Sequence, residues 1–114
     1  MKQDALQMSL LLDYYGELLS QKQRTCFDLY YNQDLSLSEI AAELGVSRQG
    51  VHELLARAEA TLGEFERVTG CIARDRRLES ALDTITQNAQ ALASVPGAAP
   101  QVGAILRAVR EIKE

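Results

Sequence analysis

Residues 37–54 read LSEIAAELGVSRQGVHEL. Ile40, Ala41 and Leu44 recur at helical spacing, and so do Val51 and Leu54. Between the two groups stands Gly45, which can take a positive φ without a Cβ clash. Ala41 is small enough to let a second helix cross closely, and Val51 is a branched apolar residue to send back into the shared core. Ser47 can cap the second helix, and Ser36 with Glu39 forms a capping box for the first. Small residue, glycine turn, cap and returning valine together predict a helix-turn-helix motif. Two short helices then meet at a steep angle, and the side chains after Ser47 project outward.

The segments around this core also read as helices. The spacing predicts a first helix over 4–15, with Met8, Leu11, Leu12 and Tyr15 on one stripe and Leu6, Leu10 and Tyr14 on a second. Gly16 is the expected left-handed cap. A second helix follows the capping box of Ser20 and Gln23 and carries Cys26, Phe27, Leu29, Tyr30 and Tyr31. Asn32-Gln33-Asp34 is a turn. The helix that opens after Ser47 runs to about Val68, with Val51, Leu54, Leu55, Ala58, Leu62 and Phe65 inward. A break at Gly70, a helix over 72–93, a linker over 96–100 that no helix crosses intact, and a last helix over 102–113 complete the chain. The fold class is all-α. The expected division is a four-helix domain over 1–68 without a wing, then a helical extension over 69–114 packed on the first part or on a partner chain.

Composition narrows the function. The chain has 114 residues and is 46% apolar and 25% charged, as an ordinary globular protein is. Twelve basic residues against sixteen acidic leave a net charge of −4, which argues against holding nucleic acid by bulk charge. Cys26 and Cys71 stand apart with no ligand-type neighbours, so neither a disulfide scaffold nor a metal site is expected. Apolar runs such as Leu10-Leu11-Leu12 are too short for a membrane span, and a cytoplasmic protein is expected. His52, the single histidine, has no Ser, Cys or carboxylate constellation around it. No phosphate-cradling glycine loop or nucleophile elbow is present, so no enzyme and no cofactor is expected.

The candidate contact residues lie on the second helix of the motif: Ser47, Arg48, Gln49, His52, Glu53 and Arg57. Arg pairs with guanine edges and Gln with adenine edges, while a capped helix start suits a phosphate. The competing reading is an ordinary solvated helix face. Over residues 20–60, Lys22, Arg24, Arg48 and Arg57 face six carboxylates, a net −2. Weak, salt-sensitive DNA binding, or reuse of the motif for another partner, is the expectation from charge. A second basic group, Arg67, Arg74, Arg76 and Arg77, flanks Gly70. Guanidinium groups suit RNA phosphates, though Asp75 and Glu79 interleave there as on a solvated face.

The run LLLDYYGELLSQKQRTCFDLYYNQDLSLSEIAAELGVSRQGVHELLARAEATLGEFE resembles the YlxM family of small bacterial helix-turn-helix proteins, over about residues 6–68. Its LLDYYGELL, DLSLSEIA and VSRQGVHE segments carry the likeness. The SxxEIAxxLGVS core also resembles the promoter-reading carboxy-terminal region of sigma factors. The family resemblance implies an all-helical, non-catalytic protein linked to the signal recognition particle pathway. It implies a nucleic-acid-binding or regulatory role, with DNA or the particle's RNA or GTPase as partner. The two-striped first helix and the heptad-like later helices add the expectation of a homodimer.

Overall fold

The computed structural model describes residues 4–114. Among them are α1 (Ala5–Tyr15), a 3-10 turn (Gly16–Leu18), α2 (Gln21–Tyr31), α3 (Leu37–Leu44), α4 (Arg48–Thr69), α5 (Cys71–Ala91) and α6 (Ala99–Lys113), with no strand among the described residues. The protein is all-α, as expected. The chain divides into two units, 1–72 and 73–114.

The helix starts in the first unit are built by short polar side chains. Asp4 Oδ1 accepts the Leu6 and Gln7 amides at 3.0 and 3.4 Å. Ser20 with Gln23 and Ser36 with Glu39 both close full capping boxes. Ser47 Oγ accepts the Gly50 amide at 2.9 Å. Gly45 ends α3 at φ 68°, and both its amide and that of Val46 donate to the Ala41 carbonyl. Gly70 takes the same left-handed conformation at φ 61° and separates α4 from α5.

Four helices close one core in this unit. Phe27, Ile40, Leu62, Val51 and Cys26 are fully buried, and each large apolar side chain withdrawn this way contributes roughly 1.5–3 kcal/mol. Met8, Leu11, Leu12 and Tyr15 of α1 are buried with them, as the first stripe predicts. Ala41, Leu44, Val46, Leu54 and Phe65 pack half-buried around the edge. The second α1 stripe stays largely in solvent, with Leu6 73% and Tyr14 41% exposed. At the end of α4, Tyr15 Oη donates to Glu66 Oε1 at 2.6 Å and lies 2.7 Å from Thr69 Oγ1. Glu66 Oε1 also accepts the Ile72 amide at 3.0 Å, so an α4 carboxylate caps the start of α5. Burial, and then the Glu66 carboxylate, raises the Tyr15 hydroxyl above its ordinary pKa.

Gly16 is not the left-handed cap. Its φ is −60°, and the chain tightens there into the 3-10 turn. A Cβ there would come within 2.9 Å of Leu12 Cδ1, so a larger residue would require the Leu12 side chain to shift. In the second unit the expected linker is shorter than 96–100: Pro100 sits in the first turn of α6, where no amide hydrogen bond is missed. Gly97, at φ 83°, turns the chain between α5 and α6. Lys113 Nζ meets Asp83 Oδ1 at 3.0 Å, so the two helices form an antiparallel hairpin. Its buried apolar residues are Leu82, Ala89, Val102 and Val109.

Candidate nucleic-acid interface

The amino-terminal turns of α4 are fixed from three sides. Gly45 sets the direction of the chain, Ser47 anchors the first turn, and Val51 plugs the core with no exposure. With 100° per residue, Arg48 and His52 then fall on one flank of α4, and Gln49 and Glu53 point straight away from the core. All four are exposed, and none makes a hydrogen bond or ion pair among the described residues. Ser47 is exposed as well, but its hydroxyl is spent on its own helix.

Arg48, Gln49 and His52 line a shallow groove of about 420 Å³ together with Leu37, the first residue of α3. His52 also borders a smaller cleft of about 130 Å³ with Tyr30, Tyr31, Leu55, Ala56 and Glu59. The back wall is aromatic. Phe27 and Tyr31 meet at a tilt with centroids 4.7 Å apart, Tyr30 meets Tyr31 edge-on at 4.9 Å, and the Tyr31 hydroxyl donates to Glu59. Glu59 is thereby turned towards α2, and Glu39 is held by the Ser36 amide. That amide, and then the Ser36 side chain, holds the Glu39 carboxyl below the usual glutamate range.

Arg57 follows Glu53 by one turn, away from the flank that Arg48 and His52 share. It lies nine residues beyond Arg48, half a revolution round the helix and about 13 Å along it. The second basic group is divided too. Arg67 belongs to the first unit, where Glu64 grips it in a two-pronged pair at 2.5 and 2.9 Å and is itself held below its ordinary pKa. Arg74, Arg76 and Arg77 belong to the second unit and are exposed on α5. The residues that sequence reading left out, Leu37, Tyr30 and Ala56, come from three different helices. The Tyr30-Tyr31 pair was the available signal, and it reads equally well as core.

A larger cleft, about 680 Å³, lies along α1 and α2. Asp13, Glu17 and Asp28 line it against the single cation Arg24, a balance that disfavours phosphate. No helix among the described residues is long and apolar enough to cross a membrane, and no group of His, Cys, Asp or Glu there is arranged to hold a metal.

Residues 2–96 match the sequence pattern of UPF0122, described as helix-turn-helix proteins, YlxM / p13 like. The UPF0122 protein of Thermoanaerobacter pseudethanolicus is 47% identical over 85 residues, 75% of this chain and 73% of its own. That of Symbiobacterium thermophilum is 44% identical over 84 residues, 74% of this chain and 78% of its own. That of Clostridium kluyveri is 50% identical over 64 residues, 56% and 58% of the two chains.

Proposed function

The chain belongs to the UPF0122 family of YlxM / p13-like helix-turn-helix proteins, and we propose that it is a regulatory nucleic-acid-binding protein rather than a catalyst. The observation that carries this reading is the exposed set Arg48, Gln49 and His52 on the first two turns of a helix that is rigidly capped and plugged. In this reading the α4 start enters a major groove. Arg48 reads guanine O6 and N7, Gln49 reads adenine, and His52 and Glu53 contact neighbouring edges. The Ser47 turn meets a phosphate, and Arg57 touches the backbone on the other flank. Few cations surround the site, so affinity is modest and falls with salt. Two copies would present their helices to half-sites about 34 Å apart.

The test is enrichment of binding sequences from a random duplex pool, followed by titration at low salt. Arg48→Ala and Gln49→Ala are each expected to weaken binding about tenfold. Wild-type behaviour from both variants defeats the groove assignment.

The exposed trio Arg74, Arg76 and Arg77 supports a second reading. There the protein works in the signal recognition particle pathway and contacts the particle's RNA or GTPase. Recovery of particle RNA that ignores replacement of all three arginines by alanine rules out the RNA form.

A further inference from the structure

The α5–α6 hairpin repeats in sevens. Its seam positions are 78, 82, 85 and 89 in α5, 92 just past its end, and 102, 105, 109 and 112 in α6, the alternating three and four steps of a coiled coil. Half of that seam is used within the hairpin, where Leu82, Ala89, Val102 and Val109 are buried. The other half is uncovered. Leu78, Ile85, Leu92, Ile105 and Ile112 are each 38% to 56% exposed.

The uncovered residues share one face. Ile85, Ile105 and Ile112 each lie three residues after a buried one, about 60° round the helix, and Leu92, three after Ala89, stands in the turn just past α5. Seen from a common end, antiparallel helices wind in opposite senses, so equal rotations turn both rows to the same side. Leu78 and Ile112, one from each row, accordingly line one cleft with Leu82, and Asp75, Glu79 and Lys113 line it beside them. Asp83, one residue after Leu82, turns the other way and carries the ion pair with Lys113. From Thr84 to Leu106 the chain has no charged residue, although a quarter of it is charged. The polar side chains there fold back on their own helix: Thr84, Thr86 and Asn88 donate to the Ser80, Leu82 and Thr84 carbonyls at 2.8 to 3.1 Å.

We propose that this face takes the same face of a second copy, and that the two hairpins form a four-helix bundle. The proposal rests on the two-copy reading above and assigns its surface. Both rows are apolar, and the charges beside them, Asp75, Glu79 and Lys113, gather at the end where Leu78 meets Ile112, so the rest of the face is complementary to itself, as an isologous interface requires. Its size also suits a partner of its own kind. The row at 78–92 is about 22 Å long and the row at 102–112 about 16 Å, so at about 10 Å of width each they give about 400 Å² of projected face per copy. A ridged surface exceeds its projection, which brings the pair to about the 1,000 Å² a specific interface needs. A hairpin with so few buried residues falls short of a self-sufficient core, and pairing closes it.

Sedimentation equilibrium of the full chain tests this. The wild type is expected to be a dimer, and Ile85→Glu with Ile105→Glu a monomer. Ile112→Ser, at the open end of the hairpin, should raise the dimer dissociation constant about tenfold with unchanged helix content. Gln90→Glu, on the opposite face, should stay dimeric. Should the double variant lose helix, Ile112→Ser alone decides. A wild type that is monomeric at about 100 µM overturns both this surface and the two-copy reading. A dimer that Ile112→Ser leaves untouched, or that Leu6→Ser with Val68→Ser dissolves instead, overturns the surface alone.

Discussion

Residues 1–72 and residues 73–114 are built from the same kind of helix, yet they bury it differently. In the first unit the side chains of α2, α3 and α4 converge until Phe27, Ile40 and Val51 retain no exposure. In the second no apolar side chain is sealed off: Ala89 keeps 3%, Leu82 5%, and Val102 and Val109 7%. The contrast extends to helix starts, since Asp4, Ser20, Ser36 and Ser47 cap theirs while no side chain caps α6. A periodic apolar stripe states how much a helix can bury. It does not state how many partners the chain supplies for the purpose. Phe27→Ala should therefore lower stability by about 3–5 kcal/mol, because a sealed site cannot collapse around the lost ring. Leu82→Ala should cost about 2 kcal/mol, the low end for leucine, because its site lies at a thin, two-helix seam. Urea unfolding followed by circular dichroism measures both, and equal losses would erase the distinction between the units.

The same contrast governs what sequence alone could reveal. Local devices were legible because cause and effect lie within a few residues. Ser36 with Glu39, Ser47, Gly45 and Gly70 all do what their spacing predicts. Gly16 differs although its neighbour is just as local: the Leu12 side chain, one turn back, occupies the space a Cβ would need, and residue spacing does not state where a side chain is placed. Pro100 was assigned to a linker although it suits the first turn of a helix equally well. The exposure of Leu6 and Ile112 could not be read from period, since period is blind to what lies opposite. In the candidate site, Arg48, Gln49 and His52 were findable from their phase relative to Val51. Arg57 follows Glu53 by one turn, half a revolution from Arg48 but only about 80° from Gln49. Leu37 and Tyr30 reach the groove from α3 and α2, which no local pattern encodes.

If the two units differ in core and not in turn chemistry, their glycine turns should respond alike. Gly45, at φ 68°, joins two packed helices, and Gly97, at φ 83°, turns the open hairpin. Neither has an atom within 4 Å of where a Cβ would lie, so only backbone strain opposes a side chain. Gly45→Ala and Gly97→Ala are each expected to cost about 1 kcal/mol, and the corresponding Asn variants less. Thermal melting compares them. A Gly97→Ala change with no effect would mean that the hairpin turn is not held in the native state as firmly as the Gly45 turn.

The finest distinction concerns the caps, where the first unit carries a titratable one and the uncapped start of α6 carries none. Ser20 pairs with Gln23 and Ser36 with Glu39, so α2 and α3 close the same hydrogen bonds, one neutral and one charged. The Ser36 amide and hydroxyl favour the ionised carboxyl, and so does the positive end of α3. The folded pKa of Glu39 thus lies below its ordinary 4.5. A group depressed on folding stabilises the native state fully above its unfolded value, and loses that contribution as pH falls through the lower folded value. Glu39→Gln keeps the bond to the Ser36 amide and removes the charge, leaving α3 capped as α2 is. Wild type should melt above Glu39→Gln at neutral pH, and the gap should shrink as the pH falls below 4.5. A gap that stays constant with pH would mean that the charge contributes nothing and that the two boxes are equivalent.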